Sequence, residues 1–423
     1  MRLGARDGVS VEARKWEKAH RDLGHEVHLV AGEISSTTEG SNTVIPLLSF
    51  LHPEIVSLAE RAFDRRLTVE QAQELGEEIE HFARQIERSL LKVITERGIS
   101  ILSIENALAI PLNLPLGLAL HRLIASTGIP SIARHHDLYW ERERFRDSNV
   151  DQLLRDSFPP AIDWLLHVTI NRAAQEELKL RKGIEARWFP NSFDFSAMQR
   201  VDDYNRDLRD SLGLQSGQLM FLQPTRIVQR KGIQRAIELV ARLRENFGLD
   251  GVLVISGPVD NREEAYAHWV FQEAPRRQVP LIHAVDSIDL DRRTINGQKI
   301  YCIADAYVHA DLITFPSDFE GFGNPVVEAA MYRKPLFVNR YPVLADIMEL
   351  VEGTFDFVVV DDEVSVDAIQ AVHRLLTDTG LRREVTERNF RIAKTHFSYE
   401  SLRERLVKTL QDLSKIIRPT ESG

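Results

Sequence analysis

Apolar runs and helix-period segments alternate along this chain. A short apolar run at 27–31 reads as a strand. From 53 to 98 the pattern turns helical, and over 67–94 apolar side chains recur every three or four positions with charges between them. A strand is expected at 99–104, ending in Glu105-Asn106, then a helix at 114–126 stopped by Gly128 and Pro130. The next strand, 130–134, runs into His135-His136-Asp137. A strand at 164–170 precedes a helix at 172–182, and 188–190 leads into a turn at 191–194. From 202 to 218 the composition is polar and charged, which marks a linker. The second half repeats the alternation, with strands at 219–223, 251–256, 282–285, 311–315 and 335–339 and helices at 232–246, 262–274, 299–306 and 325–333. A last long helix spans 399–417. Strands alternating with helices imply parallel sheets, so the fold class is α/β.

The start of the chain departs from this plan. A Rossmann-type half opens on a buried strand before its first glycine loop. Here the chain reaches Asp7-Gly8-Val9-Ser10 almost at once, and a helix at 11–23, closed by Gly24-His25, follows directly. The expectation is a first strand that is missing or cut to a stub, with the natural start upstream or another segment in its slot.

Length changes the picture to two domains, because 423 residues exceed one core. Charged residues at 27% and hydrophobic residues at 43% are ordinary for a soluble enzyme. A net charge of −10 and a pI near 5.8 argue against nucleic acid or an anionic membrane as partner. The single cysteine, Cys302, excludes an internal disulfide and a cysteine zinc site and points to a reducing cytoplasm. No stretch reaches 18 apolar residues, no signal-peptide pattern opens the chain, and no repeat of 20–50 residues is present.

The most informative chemistry is Phe-Pro-Ser-Asp-Phe-Glu-Gly-Phe-Gly-Asn-Pro-Val-Val-Glu-Ala at 315–329. An apolar run leads in and a helix-compatible run leads out, so Glu320, Gly321, Phe322, Gly323 and Asn324 form a loop and Glu328 lies on the helix. Backbone N–H groups at a helix N-terminus bind anions. Two carboxylates beside such a site suit a ligand that also carries hydroxyls, which they accept. A second element agrees: Pro224-Thr225-Arg226 closes the apolar run at 219–222, and Lys231-Gly232 follows.

These motifs resemble the retaining glycosyltransferases of the GT-B fold, family 4, including sugar/glycerate and trehalose-type synthases. The resemblance covers the C-terminal half well and the N-terminal half loosely. It implies two Rossmann-like domains facing across a cleft: an acceptor-side domain at 1–200, a nucleotide-sugar domain at 201–398, and a terminal helix at 399–423 that crosses back. It implies that Arg226 and Lys231 hold the diphosphate of a nucleotide sugar, Glu328 the ribose and Glu320 the transferred hexose. Gly321, Phe322, Gly323 and Asn324 would line the donor, and Gly8 would bring its N–H to the donor phosphate. Many relatives place a His after the strand at 130–134 against a donor-sugar hydroxyl; His136 is the match, with His135 the runner-up.

The segment Leu138-Tyr139-Trp140-Glu141-Arg142-Glu143-Arg144-Phe145 reads either as an amphipathic helix or as an acceptor loop. In the second reading Tyr139 and Trp140 stack on a sugar and Arg142 and Arg144 grip a carboxylate or phosphate. Adjacent His135 and His136 point opposite ways on an extended segment, and no second His or Cys cluster accompanies them, so no metal site is expected. Departure of a nucleoside diphosphate needs positive charge, and Arg226 and Lys231 supply it without a required cofactor. The reading is a cytoplasmic hexosyltransferase acting on a small, anionic acceptor, with a homo-oligomer left open. The alternatives on the same fold are a nucleotide-sugar epimerase, a phosphorolytic enzyme and a non-catalytic sugar-nucleotide-binding homologue.

Overall fold

The computed structural model describes residues 2–3, 8–34, 41–260, 262–350 and 355–417. The chain forms two compact units. The first holds residues 1–192 and 399–423. Its elements run β1 (Arg2–Leu3), α1 (Gly8–Asp22), β2 (His28–Ala31), β3 (Glu33–Ile34), β4 (Ser41–Val44), α2 (Pro53–Phe63), α3 (Val69–Arg97), β5 (Leu102–Glu105), α4 (Leu114–Thr127), β6 (Ser131–His135), α5 (Asp151–Ser157), β7 (Leu165–Thr169), α6 (Arg172–Lys182) and β8 (Ala186–Trp188). Strands β5–β6–β7–β8 form a parallel sheet, and β2 with β4 and β1 with β3 form separate parallel pairs. Of the loop expected at 7–10, Asp7 lies outside the described residues, and Gly8 opens α1.

The single helical region expected at 53–98 is two helices. Thr68 ends the break between them with a capping box: its hydroxyl accepts from Gln71 N and the Gln71 side chain accepts from Thr68 N. One stripe of α3, Leu75, Ile79, Ala83, Ile86 and Leu90, is buried, the spacing of a helix face turned to a core. Arg122 of α4 grips Glu80 of α3 through two 2.6 Å bonds.

The second unit spans residues 193–398. It contains α7 (Leu208–Ser211), β9 (Leu219–Gln223), α8 (Ile233–Phe247), β10 (Gly251–Ile255), α9 (Glu264–Arg276), β11 (Leu281–His283), β12 (Ile288–Asp289), β13 (Arg293–Ile295), β14 (Gln298–Cys302), α10 (Ile303–His309), β15 (Leu312–Phe315), α11 (Asn324–Met331), β16 (Leu336–Asn339), α12 (Pro342–Leu350), β17 (Val358–Val360), α13 (Val366–Thr377) and α14 (Thr379–Phe397). The last helix, α15 (Tyr399–Ile417), belongs to the first unit. There Leu402, Leu406 and Leu413 share a core with Trp16, Ala19, Ile132, Val168 and Phe189.

The main sheet of the second unit is wholly parallel, in the order β11–β10–β9–β15–β16–β17. Its central strands are buried on both faces, which is why they read as unbroken apolar runs. The chain winds outward one way from β9 and the other way from β15. The order therefore reverses between those two strands, and a crevice at their carboxyl ends is where such sheets take ligands.

Two expectations are corrected here. Residues 202–218 are not a free linker. Asn205 is fully buried and bonds Asp305, Arg292 bridges Asp202 and Asp305, and Lys299 pairs with Asp207. The helix expected at 299–306 begins only at Ile303, because Gln298–Cys302 is strand β14. Asn296-Gly297, both at positive φ, turn β13 back on β14 with Ile295 opposite Gln298, the Asn-Gly hairpin turn.

Thr68→Ala removes one half of the capping box and is expected to cost about 1 kcal/mol. Calorimetry should show the transition of the first unit lowered by about 2–4 °C; an unmoved midpoint would show that tertiary packing alone holds the start of α3.

Candidate active site

The loops after β9 and β15 meet at the reversal point of the second unit. The first is anchored where Gln223 and Thr225 bond each other at 2.9 Å and Thr314 of β15 bonds Gln223 at 2.8 Å. It then passes Arg226, forms a short turn at Gln229–Lys231, and enters α8 through Gly232. Gly232 has φ +63°, and a β-carbon there would lie 1.9 Å from the Pro316 carbonyl oxygen. Only glycine permits that approach of two backbones. The contact is reinforced by Asp318 N donating to Arg230 O at 2.8 Å and Arg230 Nη1 donating to Phe319 O at 2.9 Å.

This apposition brings Lys231 onto Glu320. Lys231 Nζ donates to Glu320 Oε1, and Arg230 Nη1 stands 3.3 Å from Oε2. Both Lys231 and Glu320 are only 9% exposed. Burial pulls the Lys231 ammonium below the usual lysine range, opposed by the Glu320 charge and assisted by Arg230 and Arg226. Arg226, half exposed, turns to Asp260 at 3.0 Å. The structure thus gathers Arg226, Arg230, Lys231 and Glu320 into one electrostatic cluster, with both predicted cations already paired.

The second loop enters α11 through Gly323, at φ +95°, where a β-carbon would meet the Tyr341 hydroxyl at 2.0 Å. Tyr341 donates to Phe322 O at 3.1 Å, and the Phe322 ring is buried against Phe397. Phe322 is therefore a wedge that shapes the loop. Gly321 and Asn324 lie on either side of it at the helix start. Glu328, one turn into α11, accepts from Tyr307 Oη at 2.6 Å. Tyr307 is fully buried, and its hydroxyl is pushed well above the usual phenol range by burial and by the Glu328 charge. The two glutamates thus sit in different settings, one among cations and one on a phenol.

In the first unit, β5 and β6 end side by side. His136 Nε2 lies 3.1 Å from Glu105 Oε2, and its backbone N–H donates to Asn106 Oδ1 at 3.0 Å. His135 points the other way. It is wholly buried, stacked on His167 with ring centroids 5.2 Å apart and bonded to it at 2.9 Å. That corrects its standing as runner-up: it is a core residue. Tyr139 and Trp140 lie on a short turn, half-buried against the core of the unit, and Arg181 covers the Trp140 ring at 5.4 Å. Arg142 pairs with Asp137 and Arg144 with Asp64. The segment is two consecutive short turns, Tyr139–Glu141 and Glu143–Phe145. Among the described residues no group of three or more His, Cys, Asp or Glu is placed to hold a metal ion, and no helix is long and apolar enough to cross a membrane. Arg230, Asp260, Tyr307 and Glu105 had not been singled out; only Arg230, beside Lys231, carried a sequence signal.

Residues 205–391 match the family described as glycosyl transferases group 1. The mannosylglucosylglycerate synthase of Thermotoga maritima is 30% identical to this chain over 432 residues, covering 95% of this chain and 96% of that protein. The mannosylglucosylglycerate synthase of Petrotoga mobilis is 31% identical, covering 81% of each. Among solved structures, a glycosyltransferase from Rickettsia africae aligns with a TM-score of 0.68 over 98% of both chains at 13% identity, a likeness of fold.

The buried histidine pair makes stability depend on pH. Burial drives the His167 pKa down to about 4 and that of His135 well below its ordinary value, helped by the charges of His167 and His136. Both pKa values are depressed, so the unfolded chain takes up protons near pH 6.5 that the folded state refuses. Stability is full above about pH 6.5 and falls toward pH 4, by up to about 1.4 kcal/mol per unit and per histidine. His167→Gln should flatten the fall of the first unit's melting midpoint between pH 6.5 and 5. Equal slopes in the two proteins would show that other groups govern the acid limb.

Proposed function

The chain belongs to the group 1 glycosyltransferases, on the GT-B fold of two Rossmann-like domains, and from that premise we propose a retaining transfer of a hexosyl group from a nucleoside diphosphate sugar to an anionic, glycerate-type acceptor. The observation that carries this reading is the cationic cluster of Arg226, Arg230 and Lys231 around Glu320 at the reversal point of the second sheet. Breaking the anomeric C–O bond leaves a diphosphate anion, and fixed positive charge in a partly dry site stabilises it most. Lys231 and Arg226 take that charge, so no metal is required. Glu328, held by Tyr307, accepts from the ribose hydroxyls, and Glu320 accepts from the hexose. The acceptor hydroxyl attacks from the face the diphosphate leaves and gives its proton to the departing phosphate oxygen. The acceptor class rests on the names of the two relatives, both of which carry glycerate; Arg142 and Arg144 would turn to it from their exposed pairs with Asp137 and Asp64. The lone thiol of Cys302, buried beside Asp305, suits the cytoplasm.

Incubation with UDP-, GDP- and ADP-linked hexoses and with glycerate, phosphoglycerate or glucosylglycerate tests the reading. Mass spectrometry should find a new glycoside, and NMR should show the donor's anomeric configuration kept. Epimerisation or hydrolysis alone, an inverted product, or preference for an uncharged acceptor would overturn it. Arg226→Ala or Lys231→Ala should lower the rate by about 10²–10³, or about 2.7–4 kcal/mol; near wild-type turnover would sink the cation assignment.

Calorimetry with the nucleoside diphosphate alone separates the glutamates. Glu328→Ala should weaken binding, since ribose is part of that ligand. Glu320→Ala should retain binding, because it also releases Lys231, yet depress transfer. Equal losses in both variants would mean that the two roles are not divided in this way.

A further inference from the structure

His136 is held from both sides by the last residue of the neighbouring strand and the residue that follows it. Glu105, the last residue of β5, is 9% exposed and places Oε2 3.1 Å from Nε2 of the ring. Asn106, at φ +55°, accepts the His136 backbone N–H, a left-handed conformation that asparagine tolerates. Around the pair lie further charges. Arg134, 1% exposed, sets Nη1 3.9 Å from Glu105 Oε1 and donates to Glu12 Oε2 at 3.0 Å, and Lys15 pairs with Glu12. Asp137 is taken by Arg142 at 2.6 Å and faces Asn106 at 3.3 Å. Buried positive charge therefore stands behind Glu105, and the aspartate next to His136 is already engaged.

A carboxylate only accepts hydrogen bonds. Nε2 of His136 must then carry the hydrogen, and a neutral ring keeps its lone pair on Nδ1. Among the described residues Nδ1 has no hydrogen-bond partner. We propose that Glu105 is a positioning residue: it locks His136 as the Nε2–H tautomer, so that Nδ1 is offered as an acceptor to a hydroxyl of the transferred sugar. In the neutral ring the same nitrogen refuses ionised phosphate and carboxylate oxygens, which cannot donate. The pair thus sorts a sugar hydroxyl from the anionic groups of donor and acceptor. This rests on the reading of His136 as a sugar-facing residue.

The test reads the tautomer directly. Whole protein labelled with ¹⁵N only at histidine, examined by long-range ¹H–¹⁵N correlation, reports which ring nitrogen is protonated, and His136→Gln assigns the signal. Wild-type His136 should show hydrogen on Nε2, and Glu105→Ala should move it toward Nδ1 or a mixture. The same variant should lower kcat by about 10–100-fold, by analogy with loss of a partner that orients a metal-ligating histidine, with acceptor KM little changed. Hydrogen on Nδ1 in the wild-type protein overturns the proposal before any variant is made, as does an unchanged tautomer in Glu105→Ala. A shifted tautomer with transfer unimpaired overturns the assignment to the sugar. Absence of transfer by the wild-type protein with every donor overturns the enzymatic reading instead, while the spectrum still decides the tautomer.

Discussion

The second unit's site depends on one steric contact, the backbone of Gly232 against the carbonyl of Pro316. Parallel strands cannot be joined by tight hairpins, so each strand's exit loop travels to a helix. Two exit loops share one space only where strand order reverses, and Gly232 lets them touch there. Once they touch, Lys231 and Glu320 are buried together, and each is the other's compensation for lost water. Breaking such a buried pair from one side costs on the order of 3–5 kcal/mol. The pairing is therefore a structural demand of the closed loops as well as a chemical opportunity for an incoming anion.

The first unit meets a related demand with the strand pleat. Consecutive residues point to opposite faces, so His135 is committed to the core with His167 while His136 is left at the edge with Glu105. Arg134, two positions before His136, points with it, and is buried between Glu105 and Glu12. The carboxylate that orients the mostly enclosed His136 is thus balanced from behind by a cation that solvent does not reach. Screening by salt is weak for such a buried pair, so the orientation of His136 is insulated from the medium in a way that the exposed Arg142 and Arg144 pairs are not.

The sequence showed the parallel architecture clearly wherever strands were buried on both faces, as at 219–223, 251–255 and 312–315, and the motif glutamates could be read because strand, loop and helix follow one another without interruption. It misled where charge was satisfied internally. Residues 202–218 look like a solvated tether, yet Asp202 and Asp207 are partners of Arg292 and Lys299, some ninety positions away. The strand at 298–302 was hidden by helix-compatible residues, although Asn296-Gly297 already announced a hairpin. The elements between 342 and 397, three helices and the edge strand β17, were not read. Tyr307, Asp260 and Glu105 stayed invisible for a common reason: each acts on a site residue 21–34 positions distant, a separation set by topology and not by any local spacing.

The two predicted cations differ in what a ligand must displace. Arg226 is half exposed, and its bond to Asp260 is of the weak, solvent-screened surface kind. It can turn to an arriving anion at little cost. Lys231 is enclosed and can leave Glu320 only if another negative group takes its place. On the proposed reading that group is the diphosphate, and its arrival strips Glu320 of its strongest partner. A buried carboxylate so released must find new donors, and the hydroxyls of the hexose that follows the diphosphate into the site are of the right kind. Recognition of the two halves of the donor is then coupled through a single ammonium group: the phosphates draw off Lys231, and Glu320 becomes a sugar ligand as a consequence.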